Sequence, residues 1–197
     1  MNLALFDFDG TISSRDSFLL FLWHVNKTAV ARTVLVHVPQ IIAYKLGVYP
    51  PAKMKELFLG QLFAGRQLSD LQKVSEHYCN AVLPGIIREA FWKRLAWHRV
   101  NGDEIAVVSA SPAFMLAPWC RLQGIELIGT EVETDAFGRL TGRIKGRNCM
   151  GREKVRRINL RYDISKFDIL YGYGDSGADL DMLELADPEN RFYKPFR

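Results

Sequence analysis

The sequence has few cysteines, no internal repeat and no segment of biased composition. Only three of its 197 residues are cysteine, and none has the CxxC spacing of a metal or redox site. This scarcity argues against a disulfide-rich secreted protein and favours a reducing compartment. The N-terminal segment MNLALFDFDG has acids at positions 7 and 9 and lacks a basic region followed by an apolar one. We therefore expect no signal peptide and a cytoplasmic location.

No uninterrupted hydrophobic run is long enough to cross a membrane. The most apolar segment, residues 29–49, contains Arg32, His37, Pro39 and Lys45, whereas a transmembrane helix needs about 20 predominantly apolar residues. We expect a pair of buried helices here. A helix that lies at a membrane surface is the alternative.

Positive charge exceeds negative charge, and much of the excess is local. The formal net charge is +4, and residues 139–166 hold ten basic residues against two acids. Such a patch attracts nucleic acid, anionic membranes or small phosphorylated ligands, or is simply a solvated face. Aromatic residues do not alternate with the basic ones as in single-strand nucleic-acid sites, so we expect no nucleic-acid partner.

Short apolar segments alternate with helical patterns over most of the chain. Strands are predicted at residues 2–8, 104–108, 125–128 and 167–171, and helices at residues 85–100, 112–123 and 151–161. This alternation predicts an α/β fold, a Rossmann-like three-layer structure with a mainly parallel sheet covered on both faces.

The segment after the first strand is helical throughout. Asp16 or Ser17 can cap a first helix, Pro50-Pro51 can open a second, and Ser69 can cap a third. We predict a catalytic core formed by residues 1–14 and 84–197, with residues 15–83 inserted as a helical cap over its mouth.

Acids follow two of the predicted strands. Asp7 and Asp9 in LALFDFDGTIS lie two residues apart, so that both side chains point to the same side of an extended chain. At about 4 Å two such carboxylates repel by about 4 kcal/mol, a cost that a bound cation or a retained proton removes. Asp175 and Asp179 follow the strand FDILYGYG, and the C-terminal edge of a parallel sheet is where open α/β folds bind ligands.

Together these motifs resemble the haloacid dehalogenase superfamily, in the branch of the phosphoserine phosphatases with a helical cap. Four motifs match in order: DFDGT from Asp7, the strand-end serine of VVSAS at Ser109, the lysine of GREK at Lys154, and GDSGAD from Gly174. The hairpin-like segment 134–142 also fits that branch.

The resemblance implies a phosphomonoester hydrolase that depends on Mg²⁺. Asp7 is expected to be the nucleophile that forms an aspartyl-phosphate, and Asp9 the general acid and base. Asp7, Asp9 through its main-chain carbonyl, Asp175 and Asp179 are expected to surround the metal ion. Ser109 and Lys154 are expected to be catalytic and to bind the phosphoryl group, together with Gly10 and Ala110; Ser111 is an alternative hydroxyl donor.

The resemblance implies the substrate less clearly. Phosphoserine phosphatases have a cap glutamate nine residues after the nucleophile; here that position is Asp16, beside Arg15, and we expect both to contact a small phosphorylated substrate. No matching cap arginine for a substrate carboxylate is evident, although Lys53, Lys55 and Arg66 are nearby in the sequence. The apolar cap and the ending FYKPF look more like bacterial phosphatidylglycerophosphate phosphatases, so a lipid phosphatase at a membrane surface is an alternative. A glycosyltransferase-like protein that binds a metal–nucleotide through the Asp7/Asp9 pair is another.

Overall fold

A five-stranded parallel sheet forms the centre of the molecule. The structure, a computed structural model, describes all residues from Met1 to Arg197. The strands of this sheet are β1 (Leu3–Phe6), β2 (Glu104–Pro112), β3 (Glu126–Thr130), β6 (Leu170–Gly174) and β7 (Arg191–Tyr193). They lie in the order β3-β2-β1-β6-β7, and every neighbouring pair is parallel.

Helices cover both faces of this sheet. They are α5 (Glu89–Val100), α6 (Ala113–Gln123), α7 (Arg152–Arg161) and the short α8 (Leu180–Leu183). Strand β1 is fully buried, with Ala4 and Phe6 in one hydrophobic cluster and Leu3 and Leu5 in another. Because alternate side chains of a strand point to opposite faces, the two clusters are the two sides of the sheet. The predicted three-layer α/β fold is confirmed.

Some predicted boundaries differ from the observed ones. Strand β2 continues to Pro112, past its predicted end at residue 108, and β6 begins at Leu170 instead of residue 167. Helix α5 begins at Glu89 because a 3-10 turn at Leu83–Gly85 comes first. Strand β7 was not predicted; three residues are too few to display a period of two.

Four helices lie between β1 and α5. They are α1 (Ser17–Val36), α2 (Val38–Lys45), α3 (Pro51–Phe63) and α4 (Leu68–Ala81). The Asp16 carboxylate caps α1 by accepting from the Leu19 N–H at 2.7 Å. Helix α1 is broken at Asn26, whose backbone is extended and whose side chain accepts from the Ala29 N–H at 3.0 Å. None of the helices is both long and apolar enough to span a bilayer.

A hairpin from the later part of the chain joins these helices. Strands β4 (Val132–Thr134) and β5 (Leu140–Ile144) are antiparallel, and β5 packs on α3. A Cβ on Gly142, whose φ is +86°, would lie 2.5 Å from the Gly60 Cα, so only glycine allows this approach. The predicted hairpin is present and extends to residue 144. The predicted division into a core and a cap at residues 15–83 stays a prediction.

Candidate active site

Loops that follow two adjacent strands bring three carboxylates together. Asp7 follows β1 directly and Asp175 follows β6, and these strands are hydrogen-bonded neighbours. One carboxylate oxygen from each of Asp7, Asp175 and Asp179 lies within 4.8 Å of the others. The cluster lies at the C-terminal edge of the parallel sheet, where the two acidic motifs were expected to meet.

Lys154 neutralises part of this cluster. Its Nζ donates to Asp7 Oδ1 and to Asp179 Oδ1, each at 2.7 Å, and only 1% of its side chain is exposed. Burial alone would lower the pKa of Lys154, but the two carboxylates raise it above its usual value. Burial would likewise raise the pKa of Asp179, and the Lys154 ammonium holds it below its usual value instead. Lys154 is therefore a fixed cation.

Burial also shifts the pKa of Asp7. Loss of solvent raises the pKa of Asp7 to about 7, even though Lys154 opposes the shift; the neighbouring acids add to it. One lysine thus does not compensate fully for the buried acids. A further cation beside Asp7 would favour its ionised form.

The donor set fits Mg²⁺. Carboxylate oxygens are the protein ligands that this ion prefers, and opposite ligands of an octahedral Mg²⁺ are about 4.2 Å apart, close to the spread of this cluster. Asp175 can approach the turn after Asp9 this closely only because residue 10 is glycine: a Cβ on Gly10, whose φ is +88°, would lie 2.7 Å from Asp175 Cγ. The Arg197 guanidinium donates to Asp175, so an ion bound there would compete with this pairing.

Asp179 is oriented by the turn in which it lies. Its Oδ2 accepts from the Ser176 N–H at 3.0 Å and the Ser176 hydroxyl at 2.8 Å, and from the Asp175 N–H at 3.2 Å. Its other oxygen is bound to Lys154. Asp179 therefore fixes the position of the lysine and the start of the Asp175 loop together.

The Asp9 carboxylate lies apart from the cluster of three acids and faces the start of α1. Its Oδ1 accepts from the Ser17 N–H at 2.6 Å, and its Oδ2 from the Ser111 hydroxyl at 2.7 Å. Burial, together with the nearby Asp16, raises the pKa of Asp9 above its usual range. A raised pKa favours the protonated carboxyl group, which is the form in which a general acid acts.

The two serines of β2 differ in their surroundings. Ser109 is fully buried, and its hydroxyl accepts from the Ser111 N–H at 3.0 Å. Ala110 and Ser111 line the cavity above the acids, whereas Ser109 does not. Ser111, considered only as an alternative from the sequence, is thus the serine that contacts Asp9.

Of the other residues predicted to contact the substrate, one lines the cavity and two do not. Asp16 lines the cavity, although one of its oxygens already caps α1. Arg15 is exposed and does not line the cavity, and Gly10 lies below it against Asp175.

Sequence reasoning did not identify Lys55 and Asn148 as site residues. Lys55, on α3, donates to the Ala110 carbonyl and, at 2.6 Å, to Asn148 Oδ1. Its burial lowers the pKa of Lys55 to about 8. Nothing in the local sequence distinguishes Lys55 from its neighbour Lys53; only the packing of α3 over the end of β2 does so.

The acids form one end of a cavity of about 650 Å³. The opposite wall comes from α1, α2 and α3 and is mainly apolar: it includes Phe18, Leu22, Val34, Ile41, Met54 and Phe58. The cavity therefore joins an ionic end to an apolar end, as suits a ligand with both characters.

Sequence comparisons give relatives along nearly the whole chain. Protein CicA of Caulobacter vibrioides is 32% identical over 99% of this chain and 86% of its own. A histidinol-phosphatase of Neisseria meningitidis serogroup C is 28% identical over 94% of this chain and 87% of its own.

Solved structures share the fold. A protein of unknown function from Bordetella pertussis Tohama I superposes with a TM-score of 0.80 at 28% identity, over 94% of this chain and 86% of that one. A phosphoserine phosphatase with an analogue of the phospho-aspartyl intermediate superposes with a TM-score of 0.61 at 18% identity, over 93% of this chain and 82% of that one.

These matches confirm the family resemblance and the enzyme class predicted from the four motifs, a hydrolase whose relatives include phosphatases. The model of the family described as haloacid dehalogenase-like hydrolase matches residues 4–184, which include all four motifs. The chain belongs to the haloacid dehalogenase-like hydrolase family.

Proposed function

We propose that the protein is a Mg²⁺-dependent phosphomonoester hydrolase that works through an aspartyl-phosphate on Asp7. The observation that carries this proposal is the cluster of Asp7, Asp175 and Asp179 around Lys154, with Asp9 beside it at the floor of one cavity. Membership in a hydrolase family, and a histidinol-phosphatase among its relatives, support it. The family match also removes the glycosyltransferase-like alternative.

The reaction has two steps. A carboxylate oxygen of Asp7 attacks phosphorus, the bond between phosphorus and the leaving oxygen breaks, and Asp9 gives its proton to that oxygen. Water then attacks the phosphorus of the aspartyl-phosphate, Asp9 takes a proton from it, and inorganic phosphate leaves while Asp7 is regenerated. Ser111 and the start of α1 hold the Asp9 carboxyl in position for both transfers.

The positive charges of the site compensate for those of the phosphoryl group. Lys154 stays protonated and lies against the attacking carboxylate. When bound, Mg²⁺ neutralises charge on Asp7 and on the phosphoryl oxygens. Asp7 and Asp175, with the Asp9 carbonyl, would hold this ion, and Asp179 would orient Lys154 beside it. Ser111 and the Ala110 backbone, which line the cavity, would contribute to the phosphoryl site, and the buried Ser109 hydroxyl would hold the Ser111 backbone in place.

The cavity favours a substrate with a sizeable apolar portion. Its acidic end suits a phosphate only with the metal ion and Lys154 present, and its far wall offers hydrocarbon and aromatic surface. The first candidate substrate is a phosphorylated metabolite with an aromatic or aliphatic side chain. The second candidate is a lipid phosphate, and the apolar far wall is the specific observation that favours it.

The experiment that tests the proposed function is hydrolysis of p-nitrophenyl phosphate with and without a chelator. We expect activity with Mg²⁺, none with excess chelator, and recovery when Mg²⁺ is restored. Asp175→Asn should raise the Mg²⁺ concentration for half-maximal activity at least about tenfold, since it removes a charged ligand. It should also reduce the rise in melting temperature that Mg²⁺ gives the wild type. Full activity in chelator would contradict the proposal.

Lys55 predicts a pH dependence of substrate binding. Because its pKa is lowered to about 8, the ammonium in the cavity is lost as the pH rises through that value. We expect the KM for a dianionic phosphomonoester to rise above about pH 8 in the wild type. In Lys55→Gln, KM should be higher than that of the wild type below about pH 8 and should lack this rise. Lys53→Gln is the matched control, because Lys53 is exposed and paired with Glu56 on the same helix. An unchanged pH profile in Lys55→Gln would rule out this role.

A further inference from the structure

One stretch of the helical insertion exposes an unusual amount of apolar surface. Between residues 35 and 48, which form the end of α1, α2 and the following loop, seven large apolar side chains are exposed: Leu35, Val36, Val38, Ile42, Tyr44, Leu46 and Val48. Helix α2 contributes no fully buried residue to the core. Such a concentration differs from the single exposed apolar residues that are common on soluble proteins.

The charge around this surface has one sign. From Ser17 to Lys55 the sequence contains no Asp or Glu. The cations Lys27, Arg32 and Lys45 are exposed and form no ion pair. In the basic segment of residues 139–166, by contrast, most of the cations pair with acids. Arg156 and Arg157 pair with Glu153, and Arg161 pairs with Glu126. Unpaired positive charge without nearby acids in sequence therefore flanks the apolar surface.

This surface adjoins the mouth of the cavity. Ile41, Tyr44 and Lys45 of α2 line the cavity, and Tyr44 also belongs to the exposed apolar surface, together with Val38 and Ile42 of the same helix. Helix α2 has only eight residues and is about 12 Å long, so that its exposed apolar groups and the groups lining the site belong to one short helix. A molecule bound on the outer face of α2 would lie beside the entrance.

We infer that the surface formed by residues 35–48 docks on an anionic lipid bilayer. Exposed apolar side chains combined with unpaired cations and no acids are the features of protein segments that lie in the membrane interface. A second copy of the chain fits less well, because like charges would face each other across the contact. The docked orientation brings the apolar side of the cavity towards the lipid.

Co-sedimentation with vesicles tests this inference, using phosphatidylcholine vesicles with and without phosphatidylserine. The wild type should bind the anionic vesicles more tightly. Leu46→Glu/Val48→Glu should weaken that binding at least about tenfold, because it removes apolar burial and adds negative charge. Lys27→Gln/Arg32→Gln should weaken it by about fivefold per residue, and less at high salt.

The matched control is Leu160→Glu, because Leu160 on α7 is as exposed as Leu46, at 73%, and lies outside this surface. It should bind vesicles like the wild type. Hydrolysis of p-nitrophenyl phosphate without vesicles should be equal in all these variants, which separates this inference from the proposed chemistry. Absence of vesicle binding, equal binding to neutral vesicles, or a dimer that Leu46→Glu/Val48→Glu dissociates would overturn the inference.

Discussion

Asp7→Asn is expected to lower kcat for phosphomonoester hydrolysis by about a thousandfold or more while the protein stays folded. The amide lacks the negative charge and the nucleophilicity of the carboxylate, so the covalent step loses its attacking group. The fold should persist because the replacement has the same shape and its amide oxygen can still accept from Lys154. Steady-state kinetics with p-nitrophenyl phosphate and circular dichroism measure the two effects.

Asp70→Asn is the matched control for this variant. Asp70 lies in the first turn of α4, is exposed, and lies 3.9 Å from Lys73 in a surface ion pair. Its replacement should leave kcat unchanged. If Asp7→Asn retained a kcat close to that of the wild type, Asp7 would not be the nucleophile.

The second large effect is expected on stability. Lys154→Met should lower the free energy of unfolding by about 3–5 kcal/mol in the absence of Mg²⁺, because it leaves Asp7 and Asp179 buried without their shared cation. Methionine has about the length of the hydrocarbon stem of lysine and lacks the ammonium group, so the loss reports mainly charge and hydrogen bonding. Urea unfolding near neutral pH measures it, and added Mg²⁺ should recover part of the loss.

An exposed lysine provides the comparison for Lys154. Lys73→Met removes a cation whose side chain is 78% exposed and whose carboxylate partner is 3.9 Å away. Surface pairs of this kind contribute about 0–1 kcal/mol, so its unfolding curve should nearly coincide with that of the wild type. Equal effects of the two substitutions would contradict the central position assigned to Lys154.

The sequence predicted those parts of the site that depend on the ends of strands. Asp7 and Asp175 follow apolar strands that had to be buried, and parallel strands bring their C-terminal ends to one edge. The position of Lys154 followed from a motif shared with a known family. The motif does not specify the two hydrogen bonds of 2.7 Å that Lys154 donates to Asp7 and Asp179.

Other features depend on tertiary packing and left no local signal. Lys55 reaches Ala110 only because α3 packs over the end of β2, and the hairpin reaches α3 through the close contact of Gly142 with Gly60. A register irregularity between Val108 and Pro112 interrupts the regular pairing of β2 with β3 beyond the predicted end of the strand at residue 108. Ser111, which lies in this irregular segment, faces Asp9 and the cavity, whereas Ser109 does not line the cavity.

The break in α1 has a similar origin. Asn26 is neither proline nor glycine, and the surrounding apolar residues continue a helical pattern. Its side chain competes with the helix for the Ala29 N–H and caps a new helical segment instead. Helix propensity alone does not decide between an unbroken helix and a helix that is interrupted at Asn26.

The most direct measurement is the intact mass of Asp9→Asn after acid quenching of a reaction with Mg²⁺ and p-nitrophenyl phosphate. The p-nitrophenolate leaves without needing a proton, so the first step should proceed, whereas hydrolysis of the aspartyl-phosphate lacks its base. We expect the mass to increase by one phosphoryl group, located on Asp7 by peptide mapping. No adduct during turnover, or an adduct on another residue, would contradict the account.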